Sequence, residues 1–302
     1  MRTYTDCFIC LMKLALNIAR RTGNDEQRER VILERVAGLL PSFSMEDRPP
    51  EMALVIHNVI KEITGVEDPF AEDKRVSNRI ALKSAPSVRE MIRESPDPLL
   101  SAIEFAIAGN SIDIGANHDM DIDASLREIV QEEGTRLQSE NPDHFLLTEF
   151  RTRLSTAGVL LYIADNAGEI VFDMLLIEVL REKYPGIDVT VAVRNSPIIN
   201  DATLQDAEEI GLTKIVRVIS SGCDTAGTLL KDCTTEFRDL FYSADMVIGK
   251  GQGNFETLSD IDREVFLLFK TKCPVIARYT QSTVGDIMLI KSRQFQSGNA
   301  AS

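Results

Sequence analysis

The chain has 302 residues, 44% of them hydrophobic and 26% charged, enough for one large folded domain or two. With 33 Lys and Arg against 47 Asp and Glu the formal charge is -14. That balance argues against a nucleic-acid or anionic-membrane surface, but not against a small phosphorylated ligand held by a local cation or a metal. No run approaches the ~18 apolar residues of a membrane span. The N-terminus does not have the form of a signal peptide, and five cysteines do not make a disulfide framework. A cytoplasmic protein is expected.

Residues 1–150 read as a helical domain or cap. Cys7 to Ala19 and Glu26 to Leu40 each carry one apolar face at helical spacing. Glu51 to Thr64 is a helix stopped by Gly65, Lys74 to Lys83 is another, and Pro86 and Pro96 bound a further one. Leu99 to Ala108 is a strongly apolar helix ending at Gly109. Cys7-Phe8-Ile9-Cys10 places two thiols at a helix start, where the dipole lowers a thiol pKa. Buried core thiols and a metal or redox role both remain open, because Cys223, Cys233 and Cys273 lie at spacings unsuited to a zinc site. Asn110 and Asp113, in Ala-Gly-Asn-Ser-Ile-Asp-Ile-Gly, form either an Asx-turn or a polar loop over a site. His57, His118 and His144 are scattered and form no ligand pair. Asp119, Asp121 and Asp123 lack the glycine and glutamate of a calcium loop, and read as an acidic link into a helix over Leu126 to Gln138.

Residues 151–290 alternate strand and helix, which predicts a parallel sheet covered on both faces. Strands are expected at Val159 to Ile163, Asp188 to Arg194, Lys214 to Ile219, Asp245 to Gly249 and Pro274 to Ala277. Helices are expected after Gly168, over Asn200 to Ile210, and over most of Thr225 to Phe241. The last segment, 291–302, reads as a disordered tail. The expected class is therefore α/β, a Rossmann-like three-layer α/β/α parallel-sheet domain with an N-terminal all-helical domain.

Three stretches carry the chemistry. Asp165-Asn166-Ala167-Gly168-Glu169 stands where a buried strand hands over to a helix, the usual ligand position in open α/β sheets. A helix N-cap is the bland alternative for Asp165 or Asn166. Asn200-Asp201-Ala202-Thr203 follows the next strand and puts Asp201 at a helix head. Gly249-Lys250-Gly251-Gln252-Gly253-Asn254-Phe255-Glu256 follows another strand; its glycines let backbone amides approach an anion and Lys250 adds a charge. It matches neither a Walker A loop nor a dinucleotide fingerprint. In a 3-2-1-4-5 strand order the first and fourth strands are neighbours, and Lys250 is expected to face Asp165 and Asn166 across the switch point, with Asp201 beside them. Two carboxylates and an amide suit a hard cation such as Mg²⁺ or Mn²⁺, and a lysine with a glycine loop suits a phosphate.

Together these stretches resemble the metal-dependent damage-control phosphatases, a family long catalogued as a domain of unknown function and related to the protein-glutamate methyltransferase-like group. The Cys-x-x-Cys, Gly-Val-Glu-Asp-Pro-Phe-Ala-Glu-Asp-Lys and Ala-Gly-Asn-Ser-Ile-Asp-Ile-Gly segments look like its prokaryotic branch. The resemblance implies hydrolysis of small phosphomonoesters with a divalent metal, Mn²⁺, Co²⁺, Ni²⁺ or Mg²⁺. It also implies Asp165, Asn166 and Asp201 as ligands and Lys250 as a phosphate contact. Asn110, Asp113, Glu169, Gly251, Gly253 and Asn254 are the expected substrate contacts. The alternatives are an S-adenosylmethionine-dependent carboxyl methyltransferase and a non-catalytic metal- or nucleotide-binding protein.

Overall fold

The computed structural model describes residues 1–23, 25–109 and 142–295. Its centre is a six-stranded sheet: β1 Val159–Ile163, β2 Asp188–Val193, β3 Arg217–Ser220, β4 Met246–Lys250, β5 Phe266–Lys270 and β6 Ile287–Lys291. The spatial order is β3-β2-β1-β4-β5-β6, parallel throughout except for β6, which runs antiparallel to β5. The direction of strand addition reverses between β1 and β4, so a crevice opens beyond their carboxyl ends.

Strand parity sorts the side chains into two cores. Tyr162, Val191, Ile248 and Leu268 point to one face, where they join α7 (Glu169–Lys183). Leu161, Ile163, Val247 and Leu267 point to the other, against α9 (Thr235–Ser243), α10 (Gly251–Leu258) and α11 (Pro274–Thr280). Because successive strand residues alternate faces, one position along a strand decides which core, and which side of the crevice, a residue joins.

The helical half begins with α1 (Thr5–Arg21), α2 (Glu26–Leu39) and α3 (Pro49–Thr64), which share their own core around Ile18, Ile32 and Ile56. Next come α4 (Ala71–Glu94) and α5 (Pro98–Ala108), which pack onto α7 and contribute Val88, Ile92, Ile103 and Phe105 to the first sheet core. The expected division near residue 150 therefore does not coincide with a break in the core. After it come α6 (Leu147–Leu154) and, between β2 and β3, the short α8 (Leu204–Glu209).

Several elements differ from expectation. Pro86 lies inside α4 instead of bounding it: the helix continues through the proline while its buried stripe, Ala81, Ala85, Val88 and Ile92, stays on the core. Pro274–Thr280 is a helix, not a strand; an apolar run that short fits either element, and proline at the first helical position decides it. Strands β5 and β6 were not anticipated. Only Thr235–Ser243 of the long helix expected from Thr225 is α-helical, and α8 begins at Leu204, which leaves Asp201 in the loop before it. Lys291 ends β6, and 292–295 form a turn in which the Arg293 amide donates to the Ser259 carbonyl at 2.6 Å, so this part of the expected tail is structured. The features at Asn110, Asp113, His118 to Asp123 and Leu126 to Gln138, with 296–302, lie outside the described residues. Among the described residues no helix is long and apolar enough to cross a membrane.

Candidate active site

The loops after β1 and β2 are zipped together by backbone. The Ala202 amide donates to the Asp165 carbonyl at 2.7 Å and the Ala167 amide to the Asn200 carbonyl at 2.9 Å. Asn166 and Asp201 thus form an isolated antiparallel bridge, and Asp165, Asn166 and Asp201 are brought together as expected. Helix α4 clamps the pair from behind: Asn78 accepts from the Gly168 amide at 2.7 Å and donates to Asp206 at 3.1 Å. Ile199, at the tip of the second loop, has φ +47, a left-handed conformation unfavourable for a β-branched residue.

These three residues open onto a cavity of ≈ 590 Å³ whose wall also holds Gly253, Glu256 and Lys272. Asp165 and Asp201 are buried to within 7% and 3% of full exclusion from water. Burial, with the Asp201 and Glu169 charges nearby, pushes the Asp165 carboxyl well above its usual range, and Arg194 and Lys272 offset only part of this. Burial also raises Asp201, against the pull of Arg194. Arg194, fully buried, donates Nε to Asp201 at 2.7 Å, Nη1 to Thr228 at 3.2 Å and Nη2 to Asn254 at 3.2 Å, with Nη2 3.8 Å from Asp165.

Lys250 is not in this cavity. Ile163 pairs with Gly249 in register, so Lys250 shares the face of Tyr162 and Ile248, opposite to that of Asp165. Its ammonium is fully buried and donates to the Ala106 carbonyl at 2.8 Å, Glu169 at 2.7 Å and Asp173 at 2.6 Å. An ammonium has three donors, and all three are used. Burial draws its pKa down, but the Asp173 and Glu169 carboxylates outweigh that and raise it. Asp173 also accepts from the Tyr162 hydroxyl at 2.7 Å, its other oxygen has no partner among the described residues, and burial lifts its carboxyl to about 6.

The expected phosphate role of Lys250 is thus not supported by its position. Glu169 is buried with it and does not line the cavity; its Oε2 accepts from the Asn166 amide at 3.1 Å, which links the two charge groups. Asn254 is a fully buried brace, accepting from Thr228 and Arg194 and donating to the Ala164 and Lys250 carbonyls. Gly253 does line the cavity. Gly251, at φ +78, lies against Asp165: a Cβ there would stand 1.8 Å from Asp165 Oδ2. Asn110 and Asp113 lie outside the described residues.

Sequence reasoning missed Arg194 and Lys272. Arg194 carried a signal, a charge directly after a buried strand, as Asp165 does after β1. Lys272 follows β5, a strand that was not recognised. As a donor set, Asp165, Asn166 and Asp201 fit a hard divalent cation. Burial keeps the Asp165 and Asp201 carboxyls raised against the pull of Arg194, Lys272 and Lys74, which marks a place where added positive charge is favourable.

The chain is similar along most of its length to several known proteins. Residues 3–288 match the family model for the damage-control phosphatase ARMT1-like domain. The chain is 32% identical over 296 residues to damage-control phosphatase PH1575 of Pyrococcus horikoshii, covering 97% of this chain and 99% of that protein. It is 30% identical to a damage-control phosphatase of Archaeoglobus fulgidus (93% and 96% covered). It is also 33% identical to the uncharacterized protein MJ0202 of Methanocaldococcus jannaschii (95% and 94% covered). The crystal structure of PH1575, described as a DUF89 family protein, superposes with a TM-score of 0.87 at 31% identity, over 97% of this chain and all of that one.

Proposed function

Because the chain belongs to the damage-control phosphatase ARMT1-like family, we propose that it is a divalent-metal-dependent phosphatase acting on small phosphorylated metabolites in the cavity above β1, β2 and β4. The observation that carries this reading is the pair of neighbouring buried carboxylates, Asp165 and Asp201, both with raised pKa and facing a cavity large enough for a metabolite. Asp165, Asn166 and Asp201 would hold Mn²⁺, Co²⁺, Ni²⁺ or Mg²⁺. Bound there, the ion supplies Lewis-acid polarisation of a phosphoryl oxygen.

The chain's own groups do the remaining work. Arg194 fixes the Asp201 carboxylate from below. Lys272 and Lys13, both exposed side chains in the cavity wall, supply positive charge for the phosphoryl oxygens, the role first expected of Lys250. Gly253, in the first turn of α10, lets that helix pack against the Ala226 carbonyl, which a Cβ would meet at 2.2 Å. The relatives' names favour phosphoester hydrolysis over carboxyl methyl transfer.

The test is turnover of p-nitrophenyl phosphate, then of a panel of metabolite phosphates, by protein stripped with EDTA and reloaded with each metal in turn. Activity restored by one or more divalent ions is expected; activity that survives stripping, or appears with no metal, overturns the reading. Lys272→Ala is expected to lower kcat/KM roughly 10²-fold, as loss of one oriented donor does, with metal affinity unchanged.

A further inference from the structure

The same cavity wall contains three sulfur atoms that the phosphatase reading does not use. Cys7 and Cys10, three residues apart, lie on one face of the first turns of α1, and Cys273 begins α11 some 260 residues later; all three line the cavity together with Glu256 of α10. Cys273 and Glu256 are electrostatic neighbours of both Cys7 and Cys10. They are also neighbours of each other, because the Gln252 amide donates to Glu256 Oε1 at 2.9 Å and reaches Cys273 Sγ at 3.8 Å. Three elements, α1, α10 and α11, therefore bring three thiols and one carboxylate together.

Cys7 and Cys273 pack in part against the second core, but that packing does not seal their sulfurs from the cavity. The other two cysteines show how core thiols behave in this molecule: Cys223 and Cys233 are buried, and each makes a short polar contact, to Thr225 Oγ1 at 3.0 Å and to the Leu229 carbonyl at 3.3 Å. Cys10, by contrast, is exposed, and Cys7 and Cys273 are only half-buried at the cavity. The helix start does not activate Cys7 or Cys10 either, since burial raises both thiols above their ordinary value.

We infer that Cys7, Cys10 and Cys273, with Glu256 as the fourth donor, form a second metal site that takes one borderline or soft divalent ion, Zn²⁺ above all. Thiolates select such ions, whereas the oxygen donors of Asp165, Asn166 and Asp201 select hard ones, so a single cavity would sort two metals by ligand softness. Three sulfurs and one carboxylate fill the tetrahedral shell of a closed zinc site, and the C-x-x-C spacing is that of zinc ligand pairs. Among the described residues no three His, Cys, Asp or Glu side chains are already grouped tightly enough to hold an ion. The site therefore closes by rotation about the single χ1 of each cysteine and the longer Glu256 stem. On binding, each sulfur exchanges its S–H bond for a metal–sulfur bond and releases its proton to the solvent.

The site stands independently of the phosphatase reading, and its test does not use turnover. Full-length protein, stripped of metal and with its five thiols reduced, is titrated with Co²⁺ and then Zn²⁺. A thiolate-to-cobalt charge-transfer band that saturates at one equivalent and is displaced by Zn²⁺ is expected. One equivalent of Zn²⁺ should also shield three of the five thiols from a disulfide reagent. Cys7→Ser/Cys10→Ser should lose the band, and Asp165→Ala should keep it. Should the double variant fail to fold, the thiol-protection count on the unaltered protein decides alone. The inference is overturned by the absence of the band and of any zinc protection in fully reduced protein, or by a band that persists without Cys7 and Cys10.

Discussion

Two groups of buried charge lie on opposite faces of the sheet, one beyond the ends of β1 and β2 and the other between β1, β4 and α7. Asp165 and Asp201 face the cavity over the buried Arg194, with carboxylates that remain costly to ionise. Lys250, Glu169, Asp173 and Tyr162 are sealed beneath α5 and α7, and every ammonium donor there has a partner. Asp165 and Asp201 in the first group and Lys250 and Glu169 in the second all stand at or after the ends of buried strands, and all looked functional in the sequence. What separates them is whether the protein itself completes the charge balance. Where it does, the cluster is part of the framework; where it does not, the remainder is available to a ligand.

The sharpest way to break this distinction is at Asp165. Asp165→Asn is expected to remove divalent-metal binding and metal-dependent turnover down to background, while the metal-free protein melts no earlier than the parent. One of two mutually repelling buried carboxylates is gone, and the fold loses nothing it depended on. Calorimetric metal titration and a thermal melt of the stripped protein check both halves, and a large drop in melting temperature would show that Asp165 belongs to the framework after all.

The complementary substitution, Lys250→Ala, should do the reverse. It leaves Glu169 and Asp173 buried without their cation, a loss of roughly 3–5 kcal/mol in unfolding free energy. The fraction that remains folded should bind metal with affinity within a few-fold of the parent, because no ligand has been removed. Denaturant unfolding and metal titration read the two effects separately. A stable variant with a large kcat/KM defect would return Lys250 to the chemistry.

The smallest effect concerns protons. Asp173 titrates at about 6 in the fold against an ordinary value of 3.8. Its contribution to stability is therefore most favourable below about pH 4 and is lost as pH rises toward 6, because the unfolded carboxyl ionises first. The stability difference between the parent and Asp173→Asn should shrink by on the order of 2 kcal/mol across that window and stay flat above it. A difference independent of pH would mean that Lys250 fully compensates the burial of Asp173.

How much of this was legible depends on residue parity. The run Val159 to Ile163 and the break at Asp165-Asn166 identified β1 and its ligand corner, because no packing role suits an acid there. The same alternation, applied to Met246, Ile248 and Lys250, would have put the lysine on the Tyr162 face, away from Asp165. The strand order alone suggested the wrong neighbour. Lys272 and the convergence of Cys273 with Cys7 and Cys10 were hidden for another reason. They depend on β5, which sets where α11 begins, and on how α1 lies against the second core, and neither is local in sequence. α4 running through Pro86 was equally unreadable, since tertiary burial of its stripe overrides the local cost of the proline.

The glycine beside Asp165 has a consequence for how this protein can change over generations. Position 251 is doubly restricted, by a backbone angle that disfavours every side chain and by the Asp165 Oδ2 occupying the space that a methyl group would need. Most sites in a chain tolerate a range of residues and drift among them. At 251 that range has collapsed to a single amino acid, so any descendant lineage in which the codon changes must first have given up the carboxylate at 165 or moved it.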